Sequence, residues 1–272
     1  MLTSLHVIAL VGYALTGAFA AAPLLPLRTR GGARLPLAIC VSAVALHLTG
    51  LLAYARAAGA LPFSGLGPAL SSLGFLVGLL ACAIQWLTRE RAIALVATPL
   101  VVILLAAALA VGFGSPPAVV EARGAWFVLH AGASFLGLAL LAVAFAASAL
   151  YLVQYRELKV RRFGAIFQLF PPLEQLDRLN HLALAAGFPT LTLGIVLAVG
   201  YLGLGSGLRG LGLGHLGWGV LSWVVLGIVA AARMSGRLRG RRAAIGSIVA
   251  FAAIALVYLL LSLMDHNASR FL

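Results

Sequence analysis

The sequence predicts an all-α protein, a polytopic membrane bundle of about eight transmembrane helices with both termini on the outer side. Hydrophobic residues make up 63% of the chain and charged residues only 9%, with a mean hydropathy of +1.11. A water-exposed surface does not have this composition. Apolar runs of roughly 18 or more residues also recur along the whole length, and each can cross a hydrocarbon layer about 30 Å thick.

The apolar runs predict eight spans with no room for a soluble domain between them, so we expect one transmembrane domain over residues 1–272. The first run has no Lys or Arg before it, so we expect a retained span rather than a signal peptide. Pro99 and Pro189 fall inside the fourth and sixth spans, where proline can kink a helix. The predicted spans cover 3–25, 36–58, 66–87, 92–113, 121–154, 177–203, 211–233 and 242–264.

The basic residues predict the orientation of the bundle. The loops after spans one, three, five and seven contain fifteen of the 19 Lys and Arg residues. Arginine and lysine concentrate on the cytoplasmic side of membrane proteins, so these loops face inward and both termini face outward. The net charge of +13 therefore reflects membrane topology, and no nucleic-acid partner is expected because the short basic loops lack aromatic stacking platforms.

The fifth span continues into a basic and aromatic segment over residues 156–170. From Glu121 to Tyr155 the helix exceeds the bilayer thickness by some 20 Å, so its inner end projects or the helix tilts. The segment then mixes Arg and Lys with Phe before Pro171 and Pro172 interrupt it. This pattern is typical of a segment lying on the inner membrane surface against anionic lipid. A docking face for a cytoplasmic partner is the alternative.

Histidines are the candidate functional residues. His47, His130 and His181 lie in or at the edge of long apolar runs without a carboxylate, and an unpartnered imidazole in lipid costs several kcal/mol. The topology places His130 and His266 toward the outside and His181 toward the inside. The other two, His6 and His215, lie near a chain end or in a loop, where a solvated histidine is ordinary.

The spacing of these histidines favours haem over a zinc or copper site. No His-x-x-x-His or Cys-x-x-Cys pattern occurs, and Cys40 and Cys82 are expected to be packing residues rather than a thiol pair. Two imidazoles from separate helices can ligate one haem iron. We expect non-covalent b-type haem held by His130 with His266 or His47, and by His181 with His47. Arg123 is a candidate partner of a haem propionate.

Three further stretches resemble a known family. Trp126-Phe-Val-Leu-His130 opens a span, Pro171-Pro-Leu-Glu-Gln-Leu-Asp-Arg-Leu-Asn-His181 leads into the next, and Gly187-Phe-Pro-Thr-Leu-Thr-Leu-Gly194 follows. Together they resemble the cytochrome c assembly membrane proteins of the CcsA family, and most of all their HemX/YpjD-like branch. The resemblance implies a polytopic haem-handling protein with His47, His130 and His181 at the matching positions and His266 in place of a late external histidine.

The sequence departs from the family in one external motif. The cytochrome c synthase subunits carry a Trp-rich motif with an Asp that presents haem to the apocytochrome, whereas here Trp218 and Trp223 stand without an acidic residue. The resemblance therefore implies a carrier, accessory or sensor role, and a cytochrome c assembly partner, rather than direct haem transfer.

We therefore predict a haem-binding, non-enzymatic protein of the bacterial inner membrane. All six carboxylates fall at span ends or in loops, and no nucleophile or acid/base pair is apparent. Two alternatives remain open. A secondary transporter would use His47 as a proton or ion site. A regulatory scaffold would use the basic inner loops to hold a cytoplasmic partner.

Overall fold

The structure, a computed structural model, describes residues 2–24, 34–59, 61–63, 65–89, 92–114, 125–161, 164, 167, 169–201 and 213–268. Within these ranges it contains eight α-helices, a short 3₁₀ turn after the first helix, and no strand. The predicted all-α class and the eight helices are confirmed. The helices are α1 Leu2–Ala21, α2 Arg34–Ala58, α3 Leu66–Thr88, α4 Ala94–Val111, α5 Ala125–Lys159, α6 Leu173–Tyr201, α7 Leu213–Met234 and α8 Gly240–Ala268.

Helix length and composition fit a multi-pass membrane protein. Each helix from α1 to α6 contains an apolar stretch of at least 18 residues, and α7 has a shorter apolar stretch over Val220–Met234. Helix α5, at 35 residues, extends about 52 Å and continues five residues beyond its predicted inner boundary. The predicted surface segment 156–170 therefore starts inside α5, and much of its remainder lies outside the described residues.

The helices form two four-helix units joined side by side. Helices α1 to α4 pack in a closed ring in which each contacts the next and α1 contacts α4. Helices α5 to α8 repeat this arrangement, with α5 against α8, and the units join where α5 meets α3 and α4. Buried Ala and Leu side chains fill both units. His47 therefore belongs to the first unit, whereas His130, His181 and His266 belong to the second.

Small residues allow α5 and α6 to approach closely. A Cβ atom on Gly137 of α5 would lie 2.7 Å from the backbone nitrogen of Leu191 on α6, and one on Gly187 would lie 3.1 Å from Leu140 Cβ. Such glycines allow backbone-to-backbone contact in membranes, where helix association depends on close packing. This contact fixes the register of α5 against α6, and with it the surroundings of His130.

The inner end of the second unit is held by a buried ion pair. Arg233 of α7 is 5% exposed and lies 2.8 Å from the Asp177 carboxylate of α6. The same guanidinium donates to the carbonyl oxygens of Asp177 and Leu238, so it ties α6 to the turn between α7 and α8. One turn deeper, the Asn180 amide donates to Ser148 of α5 and Ser247 of α8.

Candidate functional site

His130 lies at the outer end of the α5–α6 contact, with one ring nitrogen fixed. Its Nδ1 atom is 2.7 Å from the carbonyl oxygen of Gly194, and four residues earlier Trp126 Nε1 donates to Leu197 O at 2.6 Å. A carbonyl oxygen only accepts, so Nδ1 of His130 carries the proton. In the neutral ring Nε2 is then the atom with a free lone pair. This is the tautomer of a metal-ligating histidine whose other nitrogen donates to a backbone carbonyl.

Gly194 makes this geometry possible. A Cβ atom at this position would collide with the Ser134 hydroxyl and lie 3.0 Å from the Ser134 backbone nitrogen. Any other residue at 194 would therefore push α6 away from α5 and withdraw the carbonyl from His130. The His130 side chain is half-buried, so it keeps access to a ligand on its other side.

The register of α8 against α5 places residue 266 at about the same level along the bundle as His130. Phe145 of α5 packs on Phe251 of α8, with ring centroids 5.1 Å apart. The helices are antiparallel, and fifteen residues outward from this pair stand His130 on α5 and His266 on α8. The backbone thus brings both positions to the same level, although the His266 side chain is not among those described. Arg123, the predicted propionate partner, also lies outside the described residues.

His181 belongs to the opposite end of the same unit. It is half-buried near the inner end of α6, next to the Asn180 amide that joins three helices. Along α6 it is thirteen residues from Gly194, about 20 Å at the helical rise. His130 and His181 therefore cannot ligate the same iron, as the sequence analysis expected from their depths.

His47 is buried in the first unit among other polar side chains. Its ring is 0% exposed, with Ser71 Oγ of α3 2.9 Å from Nε2 and the Tyr13 hydroxyl of α1 3.4 Å from Nδ1. The ring of His6 is the nearest imidazole, with centroids 5.5 Å apart. Among the contacts of the described residues, the structure does not bring His47 to His130 or His181, so neither expected pairing with His47 is made.

The surroundings of His47 were not predicted from the sequence. His6 was expected to be an ordinary solvated histidine near the chain end, but that expectation was wrong because its side chain is 0% exposed. It lies against Phe113, with centroids 4.4 Å apart, and Gly50 makes room for its ring because a Cβ there would lie 2.7 Å from it. His6 and Tyr13 are seven residues apart, a two-turn spacing that would have placed them on one face of α1.

The two cysteines also differ from expectation. Cys40 of α2 and Cys82 of α3 are free and buried, and their thiols are close neighbours.

One apolar cavity of about 270 Å³ lies where the two units meet. It is lined by Leu, Val, Ile, Ala and Phe side chains of α3, α4, α5 and α8, including Phe251 and Ile254. No histidine lines it, so this cavity is separate from the candidate ligands. Nor do the described residues contain a group of three or more His, Cys, Asp or Glu side chains positioned for a metal ion.

Comparison with known protein families supports the resemblance seen in the sequence. A family model described as Cytochrome C assembly protein matches residues 66–267, which is more than half of the chain and runs from α3 into the last residues of α8. No curated protein matched the chain. The matched range includes His130, His181 and His266, whereas His6 and His47 precede it. The chain therefore belongs to the cytochrome c assembly protein family.

Proposed function

We propose that this protein binds b-type haem near the outer face of the bacterial inner membrane, between α5 and α8, and acts in haem handling during cytochrome c assembly. In this proposal His130 and His266 would hold the haem iron. The observation that carries it is the hydrogen bond from His130 Nδ1 to Gly194 O, because it presents Nε2 as a ligand. Bound haem would supply a coordinating, redox-active iron.

The residues at this end of the bundle fit such a group. A haem needs two imidazoles from separate helices and an apolar cleft. Helices α5 and α8 supply both histidine positions at one level. The sequence of both helices is mostly apolar at that level. Arg123, two residues before α5, remains the predicted propionate partner.

The remaining predicted ligands belong elsewhere in this proposal. Ser71 and Tyr13 face the two ring nitrogens of His47, so we assign His47 to the polar core of the first unit and not to the outer haem. His181 remains the predicted ligand of a separate inner site. The inner site would be independent of the outer one because of the 20 Å separation.

A carrier, accessory or sensor role fits the external tryptophans better than direct transfer or enzymatic catalysis. Trp223 of α7 donates to Thr192 Oγ1 at 2.9 Å and stacks on Phe188 of α6, with centroids 5.9 Å apart. The side chain is thus used in helix packing. It is not available to present haem to an acceptor, and no acidic residue accompanies it in this motif.

The test is the absorption spectrum of the purified protein, reduced minus oxidised, after haem loading in detergent. We expect the outer haem's share of the Soret absorbance to be lost in His130→Ala and in His266→Ala. The control His181→Ala should leave that share unchanged. A His130→Gly variant should regain the band when imidazole is added. Soret absorbance that neither outer substitution reduces, or wild-type protein that stays colourless, would overturn the proposal.

A second candidate is proton-coupled transport, favoured by the Tyr13, His47 and Ser71 contacts. A hydroxyl, an imidazole and a second hydroxyl from three helices can pass a proton along, because each group both donates and accepts. Colourless protein with proton uptake in vesicles that His47→Gln abolishes would favour this function over haem binding.

A further inference from the structure

A basic groove lies between the inner ends of α5 and α8, and no histidine lines it. It encloses about 300 Å³. The residues of α5 that line it are three or four positions apart and so share one face of the helix, and the two lining residues of α8 are one turn apart. The lining residues are Leu152, Tyr155, Arg156, Lys159, Arg241 and Ile245.

The groove carries three positive charges and no lining carboxylate. Arg156, Lys159 and Arg241 are all exposed, so their charged ends reach the inner aqueous boundary. Arg241 is held over the Tyr155 ring at 6.0 Å, a cation–π distance that fixes the guanidinium on the groove wall. Asp177, a nearby carboxylate, is already paired with Arg233 and does not neutralise the groove.

The groove changes from basic to apolar with depth. Leu152 precedes Arg156 by one turn of α5, and Ile245 follows Arg241 by one turn of α8, so both aliphatic side chains lie nearer the membrane centre. Ile245 is 41% exposed, so the apolar end of the groove is open at the protein surface. A phospholipid fits this arrangement, because its phosphate can contact the basic residues while its acyl chain contacts the aliphatic ones. A free phosphate would contact only the basic residues.

We propose that this groove binds the phosphate headgroup of one anionic phospholipid, with an acyl chain along Leu152 and Ile245. The lipid would join α5 to α8, the two helices that carry His130 and His266 at their opposite ends. This proposal does not depend on haem binding. Its test reads bound lipid and not absorbance.

The test is native mass spectrometry of the full chain released from micelles containing phosphatidylglycerol and phosphatidylcholine. We expect wild type to retain one phosphatidylglycerol in preference to phosphatidylcholine. In the triple variant Arg156→Gln, Lys159→Gln and Arg241→Gln, retention should fall about fivefold per charge and about 100-fold in total, since each cation near an anionic lipid surface contributes on the order of 1 kcal/mol.

A matched control removes three exposed inner cations that do not line the groove, by Arg178→Gln, Arg237→Gln and Arg242→Gln. This control should keep the bound lipid. Ile245→Trp keeps all charges but fills the apolar part, and it should also lose the lipid. Because Ile245 is on the surface, this variant tests the site even if the charge variant folds poorly.

Three outcomes would overturn the proposal. Equal loss in the groove and control variants would mean a general charge effect of the inner face. Unchanged retention in the groove variants would mean that no lipid binds there. Displacement of the lipid by millimolar inorganic phosphate would mean a free-phosphate site.

Discussion

Replacing Gly194 with alanine tests how α6 prepares His130 to bind haem. The new Cβ would collide with Ser134 Oγ and lie 3.0 Å from the Ser134 backbone nitrogen. Comfortable contacts need about 3.5–4.0 Å, so the helices must separate by roughly 1 Å. The hydrogen bond from His130 to the carbonyl, now 2.7 Å, then lengthens beyond about 3.5 Å and is lost.

The expected result of Gly194→Ala is haem affinity lowered about 10- to 100-fold, the usual cost of removing the partner that orients a ligating histidine. The assay is titration of the detergent-solubilised protein with haem, followed at the Soret band. Gly132→Ala is the matched control, because a Cβ there meets nothing within 4 Å and the residue is two positions from His130. Equal affinities of the two variants would refute the reasoning, provided that both elute as folded monodisperse protein.

Two predictions concern stability, measured by thermal unfolding in detergent. Arg233→Ala should lower the free energy of unfolding by about 2 kcal/mol. This is less than the loss expected for a fully buried ion pair, because the Asp177 side chain is 32% exposed. The control Arg237→Ala, on the exposed turn nearby, should change the free energy of unfolding little. Ser71→Ala should lower the free energy of unfolding by about 1–3 kcal/mol, because it leaves Nε2 of the buried His47 ring without its hydrogen-bond partner. Tyr13→Phe removes only a 3.4 Å contact to Nδ1 and should lower it by about 0.5–1 kcal/mol. Equal losses in Arg233→Ala and Arg237→Ala would contradict a stabilising role of the ion pair. Equal losses in Ser71→Ala and Tyr13→Phe would contradict the stronger contact of Ser71 with His47.

Hydropathy was sufficient to find the helices because a bilayer imposes one length and one composition on every span. The predicted span 66–87 and helix Leu66–Thr88 differ by a single residue. Helix α5 ends five residues after its predicted span because Arg156 and Lys159 are helical but polar, so the apolar criterion ended early. The motifs around His130 and His181 were equally visible, and the family match over 66–267 agrees with them.

The burial of His6 could not be predicted from the sequence. A residue five positions from the start of a chain is usually solvated, and only the packing of Phe113 and Gly50 against it encloses the ring. The same holds for the Cys40 and Cys82 thiols, because two single cysteines on separate spans meet only if the register of α2 against α3 aligns them.

The sequence alone determined that this protein is an all-helical, multi-pass membrane protein of the cytochrome c assembly family, because lipid solvation acts on local composition and the family motifs are local strings. Only the tertiary structure decided which imidazoles are neighbours. In the structure the ring of His47 lies next to that of His6 rather than next to His130 or His181. Nδ1 of His130 is hydrogen-bonded to the carbonyl oxygen of Gly194. Those outcomes depend on helix register and on where glycines permit close approach, which are properties of contacts between distant segments.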